Sequence, residues 1–209
     1  LSLTAAAYAD TKVIRVGGES NMPISAISPQ GKAQGVFPEV FEDIAGKEGW
    51  KYEYVPCVWD KCVDDLAKGK LDLLLAVASS PQRAEIFDFT NESLLSNWGC
   101  VYAPRNKNFD SILQLDGKRI ALVRNDIHAI AFRKLLAGFG KRAKYVEVDK
   151  QDDVLGSIDR GESDAGIVNR LFGQNHIKNY RVEATPIVFN PIEIRFAAPK
   201  GKHRDLLDV

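Results

Sequence analysis

Five consecutive residues, Ser79-Ser80-Pro81-Gln82-Arg83, have types and spacing suited to holding an anion. Ser80 is a strong helix N-cap and Pro81 a favoured first helical residue, so a short helix is expected to start there. Free backbone N–H groups, a serine hydroxyl and a guanidinium one turn along are the parts of an anion site. An arginine grips a carboxylate through two parallel charge-assisted hydrogen bonds, each worth about 1.5–3 kcal/mol. Composition alone leaves a second reading open, a surface arginine paired with Glu85 or Asp88.

Other reactive residues are sparse. Cys57 and Cys62 bracket Val-Trp-Asp-Lys, and Cys100 stands apart. That spacing suits no zinc site without further ligands, and His128, His176 and His203 are scattered, so no metal site is expected. A local Cys57–Cys62 disulfide with a free, buried Cys100 is the better reading for an exported chain. Trp59, between the two cysteines, stands either against a ligand cleft or as a core or surface indole. No P-loop, no Gly-x-Ser-x-Gly elbow and no His-Glu-x-x-His occurs. Gly138-Phe139-Gly140-Lys141-Arg142-Ala143 follows a helix pattern rather than joining strand to helix, so no dinucleotide site is supported, and no cofactor is expected.

The chain has 209 residues, 28 Lys+Arg against 28 Asp+Glu, and 45% hydrophobic residues. That is enough chain for a substantial core, and a balanced charge with no basic block argues against a nucleic-acid partner. No apolar run approaches a membrane span, so membrane attachment is expected only through sequence outside this chain. At the start, Ala7-Tyr8-Ala9 has the small-x-small form of a signal-peptidase site. Residues 1–9 therefore read as a signal-peptide remnant, and Asp10 in place of Cys argues against a lipid anchor.

Strand-like and helix-like segments alternate throughout, which indicates α/β. Strands are expected at 13–16, 51–56, 71–78, 101–103, 119–123, 145–148 and 165–168. Helices are expected at 37–49, 60–68, 111–115 (capped by Asp110), 127–137 (capped by Asp126) and 152–160. Two stretches share one plan: Lys68-Gly69-Lys70-Leu71-Asp72 and Arg160-Gly161-Glu162-Ser163-Asp164. In each a helix ends at Gly and an Asp three residues later leads into an apolar strand. This echo suggests two similar lobes with a cleft between them, where ligands favour binding.

Residues 72–90, with Ser-Ser-Pro-Gln-Arg-Ala-Glu at 79–85 and Phe-Asp-Phe-Thr at 87–90, resemble the signature of the type II periplasmic solute-binding proteins. More narrowly they resemble family 3, the amino-acid-binding branch. Gly35-Val36-Phe37-Pro38-Glu39-Val40 and Asp116-Gly117-Lys118-Arg119-Ile120-Ala121 are similar to two further family motifs, and the resemblance runs from 13 to 198. It implies a bilobed clamshell: lobe 1 at 10–100 plus 195–209, lobe 2 at 101–194, and hinge strands near 99–103 and 192–198. It implies that Arg83 binds a ligand carboxylate, with Ser79 and Ser80 beside it. Asn21, Trp59 and Ala78 would form the first-lobe wall, and Arg124, Asp126 and Ile127 the second-lobe loop. His128 stands either at the cleft or on the helix surface. Asn169 falls where the family has an Asp that holds the ligand ammonium. A neutral amide lacks that charge, so plain α-amino acids are expected to bind poorly unless Glu19 or Asp126 substitutes.

The expected function is an extracytoplasmic small-molecule sensor domain of a bacterial membrane receptor, of the histidine kinase or diguanylate cyclase type. Its partner would be a small anionic or amino-acid-like ligand, with a second copy of the receptor as a further partner. The Cys-Val-Trp-Asp-Lys-Cys helix start and the runs 76–83 and 94–99 look more like sensor-linked members. The final residues 205–209 read as the start of a helix. The alternative is a free periplasmic component of an ABC transporter. Cyclohexadienyl dehydratases share the fold, but they need a cleft acid, and Asn169 stands where one is wanted.

Overall fold

The computed structural model describes residues 13–209, so the small-x-small step at Ala7-Tyr8-Ala9 lies outside the described residues. A nine-stranded sheet runs through the molecule. Its first half is β4 (Tyr52–Pro56), β1 (Ile14–Gly18) and β5 (Leu73–Ala78), all parallel. Its second half is β10 (Ala165–Asn169), β8 (Arg119–Val123) and β9 (Lys144–Val148), also parallel. Between them lie two long antiparallel strands, β11 (Val182–Pro199) and β7 (Leu95–Pro104), with β6 (Phe87–Phe89) added on β11. A two-stranded ribbon, β2 (Ala26–Ile27) and β3 (Ala33–Gln34), stands apart.

Strand alternation gives each half a core on both faces. In β5, Leu73 and Leu75 face α1 (Val36–Glu48) through Phe37 and Phe41. Leu74 and Val77 face α2 (Trp59–Ala67) through Cys62 and Leu66. Strands covered on both faces read as unbroken apolar runs, which is why 71–78 is visible in the sequence. The second half is built alike. Ile120 and Leu122 pack on Phe132 and Leu136 of α4 (Ile127–Gly138). Ala121 and Val123 pack on Val154, Leu155 and Ile158 of α5 (Gln151–Asp159).

The echo in the sequence is an echo in structure. Gly69 and Gly161 both lie in the left-handed region, with φ of 70° and 72°, and end their helices. Asp72 accepts from the backbone N–H of Arg15 at 2.9 Å and from its Nε at 2.8 Å, and Arg15 Nη2 donates to Gly69 O at 2.7 Å. Asp164 accepts from Arg119 N at 2.9 Å and Nε at 3.3 Å, and Arg119 Nη2 donates to Gly161 O at 3.1 Å. One clamp ties the helix end to the first strand in each half. The Asp72 side chain is only 2% exposed. Asp72→Ala would leave Arg15 without its main partner and should cost about 3 kcal/mol in urea unfolding. The Asp164 pair is more exposed, and Asp164→Ala should cost less.

Three sequence expectations need correction. Ser111, not Asp110, caps the turn Ile112–Leu115, in a capping box with Gln114. The helix α6 (Arg170–His176) was not expected; Asn169 caps it by accepting from Phe172 N at 2.9 Å. The chain end holds a 3-10 turn, Arg204–Leu206, in place of a longer helix.

Candidate functional site

The two halves meet where β7 and β11 pass from one to the other. Leu95–Asn97 pair with Ile192–Ile194 on the first side, and Gly99–Tyr102 pair with β10 on the second. A Cβ on Gly99 would stand 2.7 Å from the Phe189 ring and 3.1 Å from His128 Cβ, so only glycine lets α4 approach this crossing.

Above the crossing lies a narrow cavity of about 50 Å³. One half supplies Glu19, Asn21, Trp59, Leu75 and Ala76; the other supplies Asp126, His128, Gln151 and Asn169. Ala76 has φ of 55°, which turns the backbone of β5 at the cavity wall. A neighbouring pocket of about 450 Å³ shares Glu19 and Gln151 with this cavity. The two halves also bond across the cleft: Asn169 Nδ2 donates to Asn21 Oδ1 at 3.0 Å, and Asn125 Nδ2 to Asp60 Oδ1 at 3.2 Å. Ile127 adds an apolar contact to the core of the first half. Small-molecule sites run from roughly 300 Å³ upward. A ligand must therefore part the halves to enter.

Arg83 sits beside this cavity, not in its lining. Ser80 Oγ accepts from Arg83 N at 3.2 Å, capping the short helix α3 (Pro81–Ala84) as expected. Arg83 Nη1 donates to Ala78 O at 3.0 Å, and the guanidinium lies 4.9 Å from the Trp59 ring centroid. The described residues give it no carboxylate within 4 Å; Asp88 pairs with Lys200 instead. Burial pushes the guanidinium below its ordinary pKa, and the charge of Asp126 pulls the other way. A half-buried cation without a counter-ion invites an anionic ligand group.

Cys57 and Cys62 are disulfide-bonded with Cα atoms 5.4 Å apart, and Cys100 is free and buried. The bridge closes the first turn of α2, from which Trp59 projects to the cavity. Thiol counting on unreduced, denatured protein should find one free thiol. Reducing so short a loop should cost about 2 kcal/mol.

Asp126 caps α4, its Oδ1 accepting from His128 N at 2.8 Å and Ala129 N at 3.1 Å. His128 is 4% exposed, which settles the helix-surface alternative against it. Asn190 Nδ2 lies 3.2 Å from His128 Nδ1, which suits that nitrogen as acceptor and Nε2 as the N–H. Burial first, then the charge of Arg83, pushes the imidazole below its usual value, against Asp126. Glu19 is pushed the other way, up to about 8, first by burial and then by the charges of Asp126 and Asp60, with Lys150 opposing.

Several expected residues lie outside the cavity. Arg124 is exposed and turned to Glu147 and Asp149, at 3.4 and 2.8 Å, because β9 runs beside β8. Ser79 is tied to Glu193 O of β11, and Ser80 is spent on its cap. Gln151 carried no signal legible in the sequence. Asn97, a buried amide of β7, was not among the expected site residues. Both bond Asn169: Asn97 Nδ2 donates to its Oδ1 at 2.8 Å, and its Nδ2 donates to Gln151 Oε1 at 2.8 Å.

The model for bacterial extracellular solute-binding proteins, family 3, matches residues 14–198. The chain belongs to that family. It is thus a small-molecule-binding domain and not an enzyme, which sets the dehydratase reading aside. It is 25% identical over 193 residues to "Probable amino-acid-binding protein YxeM" of Bacillus subtilis (strain 168), covering 90% of this chain and 72% of that one. Among solved structures, a histidine kinase sensor domain with similarity to periplasmic binding proteins superposes with a TM-score of 0.83 at 24% identity, covering 93% of this chain and 86% of the other. The arginine-bound form of truncated ArgBP from T. maritima gives 0.79 at 19% identity, covering 93% and 91%. Family 3 members share this type II clamshell fold. Among the described residues no helix is long and apolar enough to cross a membrane.

Proposed function

We propose that this domain is the extracytoplasmic sensor of a bacterial membrane receptor, and that an amino-acid-like ligand in the cleft sets the angle between its lobes. Among the described residues the lobes are 13–100 plus 195–209 and 101–194, turning on β7 and β11. The observation that carries the reading is a cavity walled by both halves, which a few amide and carboxylate side-chain hydrogen bonds join across the cleft. A ligand bridging the walls replaces those bonds with its own and shifts the population of closed domain. Arg83 takes the carboxylate beside Trp59, while Glu19, Asp126, Asn21, His128 and Asn169 line the rest. Asn169 has no hydrogen-bonding capacity left for an ammonium, so the carboxylates at Glu19 and Asp126 bring amino acids back within the ligand class.

Likeness to a histidine kinase sensor domain favours sensing; the amino-acid-binding and arginine-binding relatives favour the second reading, delivery to an ABC transporter. The full-length protein separates them. Reconstituted in liposomes, it should change kinase or cyclase activity when a ligand found by thermal shift is added. A full-length product without a membrane span or signalling module, which instead stimulates a transporter's ATPase, would refute the sensor reading.

A further inference from the structure

We propose that the end of lobe 2 opposite the cleft is a peripheral contact for an anionic lipid surface, with Phe139 entering the headgroup layer and basic side chains around it meeting the phosphates. The cavity residues Asp126, Gln151 and Asn169 lie at or just past the C-terminal ends of β8, β9 and β10. Lys118 and Lys144 stand at the opposite ends of β8 and β9. Helix α4 starts at the cleft and runs back from it, so its last turn and residues 139–143 reach that far end too. Backbone bonds hold the parts together: Gly117 N donates to Arg142 O at 2.6 Å, and Lys144 N to Lys118 O at 2.8 Å. Whatever binds here leaves the cleft free for its ligand.

The end of α4 stands clear of the fold. Residues 137–140 are all exposed, and an added Cβ on Gly138 or Gly140 would meet nothing within 4 Å. Phe139, between those glycines, is 54% exposed, and Ile130 on the same helix is 57% exposed. Leu135 and Phe139 are four residues apart and share a side of the helix end. With Lys134 they rim an open recess of about 510 Å³ against Phe189. Single exposed apolar residues are ordinary, but a group of them around a projecting aromatic ring marks a contact surface.

Charge identifies the partner. Asp116 is taken up by Lys141 Nζ at 3.1 Å and Arg142 N at 3.0 Å, and Asp164 by Lys107 and Arg119. Lys118, Lys134, Arg142 and Lys144 are exposed and have no acidic partner among the described residues. Asp110 is a free acid before the 3-10 turn, and the surplus at this end is still positive. A second copy docking through the same face would set these cations against one another. An anionic bilayer complements all four at once: lysine and arginine stems lie along apolar surface while their heads stay with the phosphates, and an aromatic ring suits the interface. Each basic residue near such a surface favours binding about fivefold. One ring and four charges make a weak, reversible contact, which tethering the domain to a membrane strengthens through effective concentration.

The probes are vesicles of equal parts phosphatidylglycerol and phosphatidylcholine, with pure phosphatidylcholine vesicles for comparison, in flotation assays on the 209-residue chain at low salt. The protein should float with the anionic vesicles and not with the neutral ones, and about 0.5 M salt should release it. Phe139→Ser should weaken binding about tenfold. The double variant Arg142→Gln, Lys144→Gln should weaken it about twenty-five-fold. Lys32→Gln and Lys51→Gln, at exposed positions of lobe 1, should change nothing. Phe139→Trp should keep binding and become quenched by brominated lipid, and all these variants should melt like the wild type. Absence of flotation with anionic vesicles, or flotation that the lobe 2 variants leave unchanged, overturns the proposal. A dimer in sedimentation that Phe139→Ser dissolves gives the face to a second copy and overturns it as well. So does binding to native membranes that protease treatment of those membranes abolishes, with none to lipid vesicles, which gives the face to a protein.

Discussion

Arg83→Ala should raise the dissociation constant for a carboxylate-bearing ligand at least about a hundredfold, or 2.7 kcal/mol. Two charge-assisted hydrogen bonds are lost, each worth about 1.5–3 kcal/mol. The partner is a carboxylate that must then be buried in the closed cleft without a cation. The same substitution should leave the ligand-free melting temperature unchanged or raise it. In the free domain the guanidinium has one backbone acceptor and an indole face, and burial already disfavours its charge. Loss of binding without loss of stability separates a ligand anchor from a structural ion pair. Arg83→Lys keeps the charge but not the planar fork and should recover only part of the affinity. Isothermal titration with urea unfolding on the same samples checks both. Unchanged affinity in Arg83→Ala would remove the carboxylate site from this cleft.

What could be read in advance was local. Ser80 and Pro81 announce their helix within four residues, and Arg83 follows at one turn. Asp126 announces α4 in the same way. The echo at Gly69 and Gly161 was legible because a left-handed helix end followed by a strand-leading Asp is written in five residues. The long strand β11 was not. Pro186 and Pro191 interrupt its pattern and argue against a continuous strand. The structure keeps the strand and breaks its register instead, between Ala184 and Val188 and between Phe189 and Ile192, each gap holding one proline. Pairing with β7 on the far side of each gap outweighs the local signal. His128 was hidden for a related reason. Whether a helix residue faces solvent or cleft depends on Phe189, Asn190 and Gly99, which are far away in the chain.

Asn169→Asp should cost the ligand-free domain about 3 kcal/mol, because position 169 has become part of an amide network rather than an ammonium site. Its Oδ1 accepts from Asn97 Nδ2 and Phe172 N, and its Nδ2 donates to Asn21 Oδ1 and Gln151 Oε1. Every donor and acceptor of the amide is used, with partners 72, 3, 148 and 18 residues away. Gln151 cannot simply turn over, since its Oε1 also accepts from the Asn169 backbone N–H at 3.1 Å. A carboxylate at 169 would set oxygen against oxygen where a hydrogen bond of 2.8 Å now stands, buried and without a cation. It would also lose the bond to Asn21, one of those that join the lobes. An ammonium in the cavity would relieve both defects by standing between the oxygens. The variant should therefore be less stable alone, yet favour amino acids over the matched carboxylates lacking the amine more strongly than the wild type does. Urea unfolding without ligand and thermal shift with each ligand pair measure the two effects. A variant as stable as the wild type, with unchanged ligand preference, would mean that the amide network neither holds the cleft shut nor displaces the ammonium from position 169.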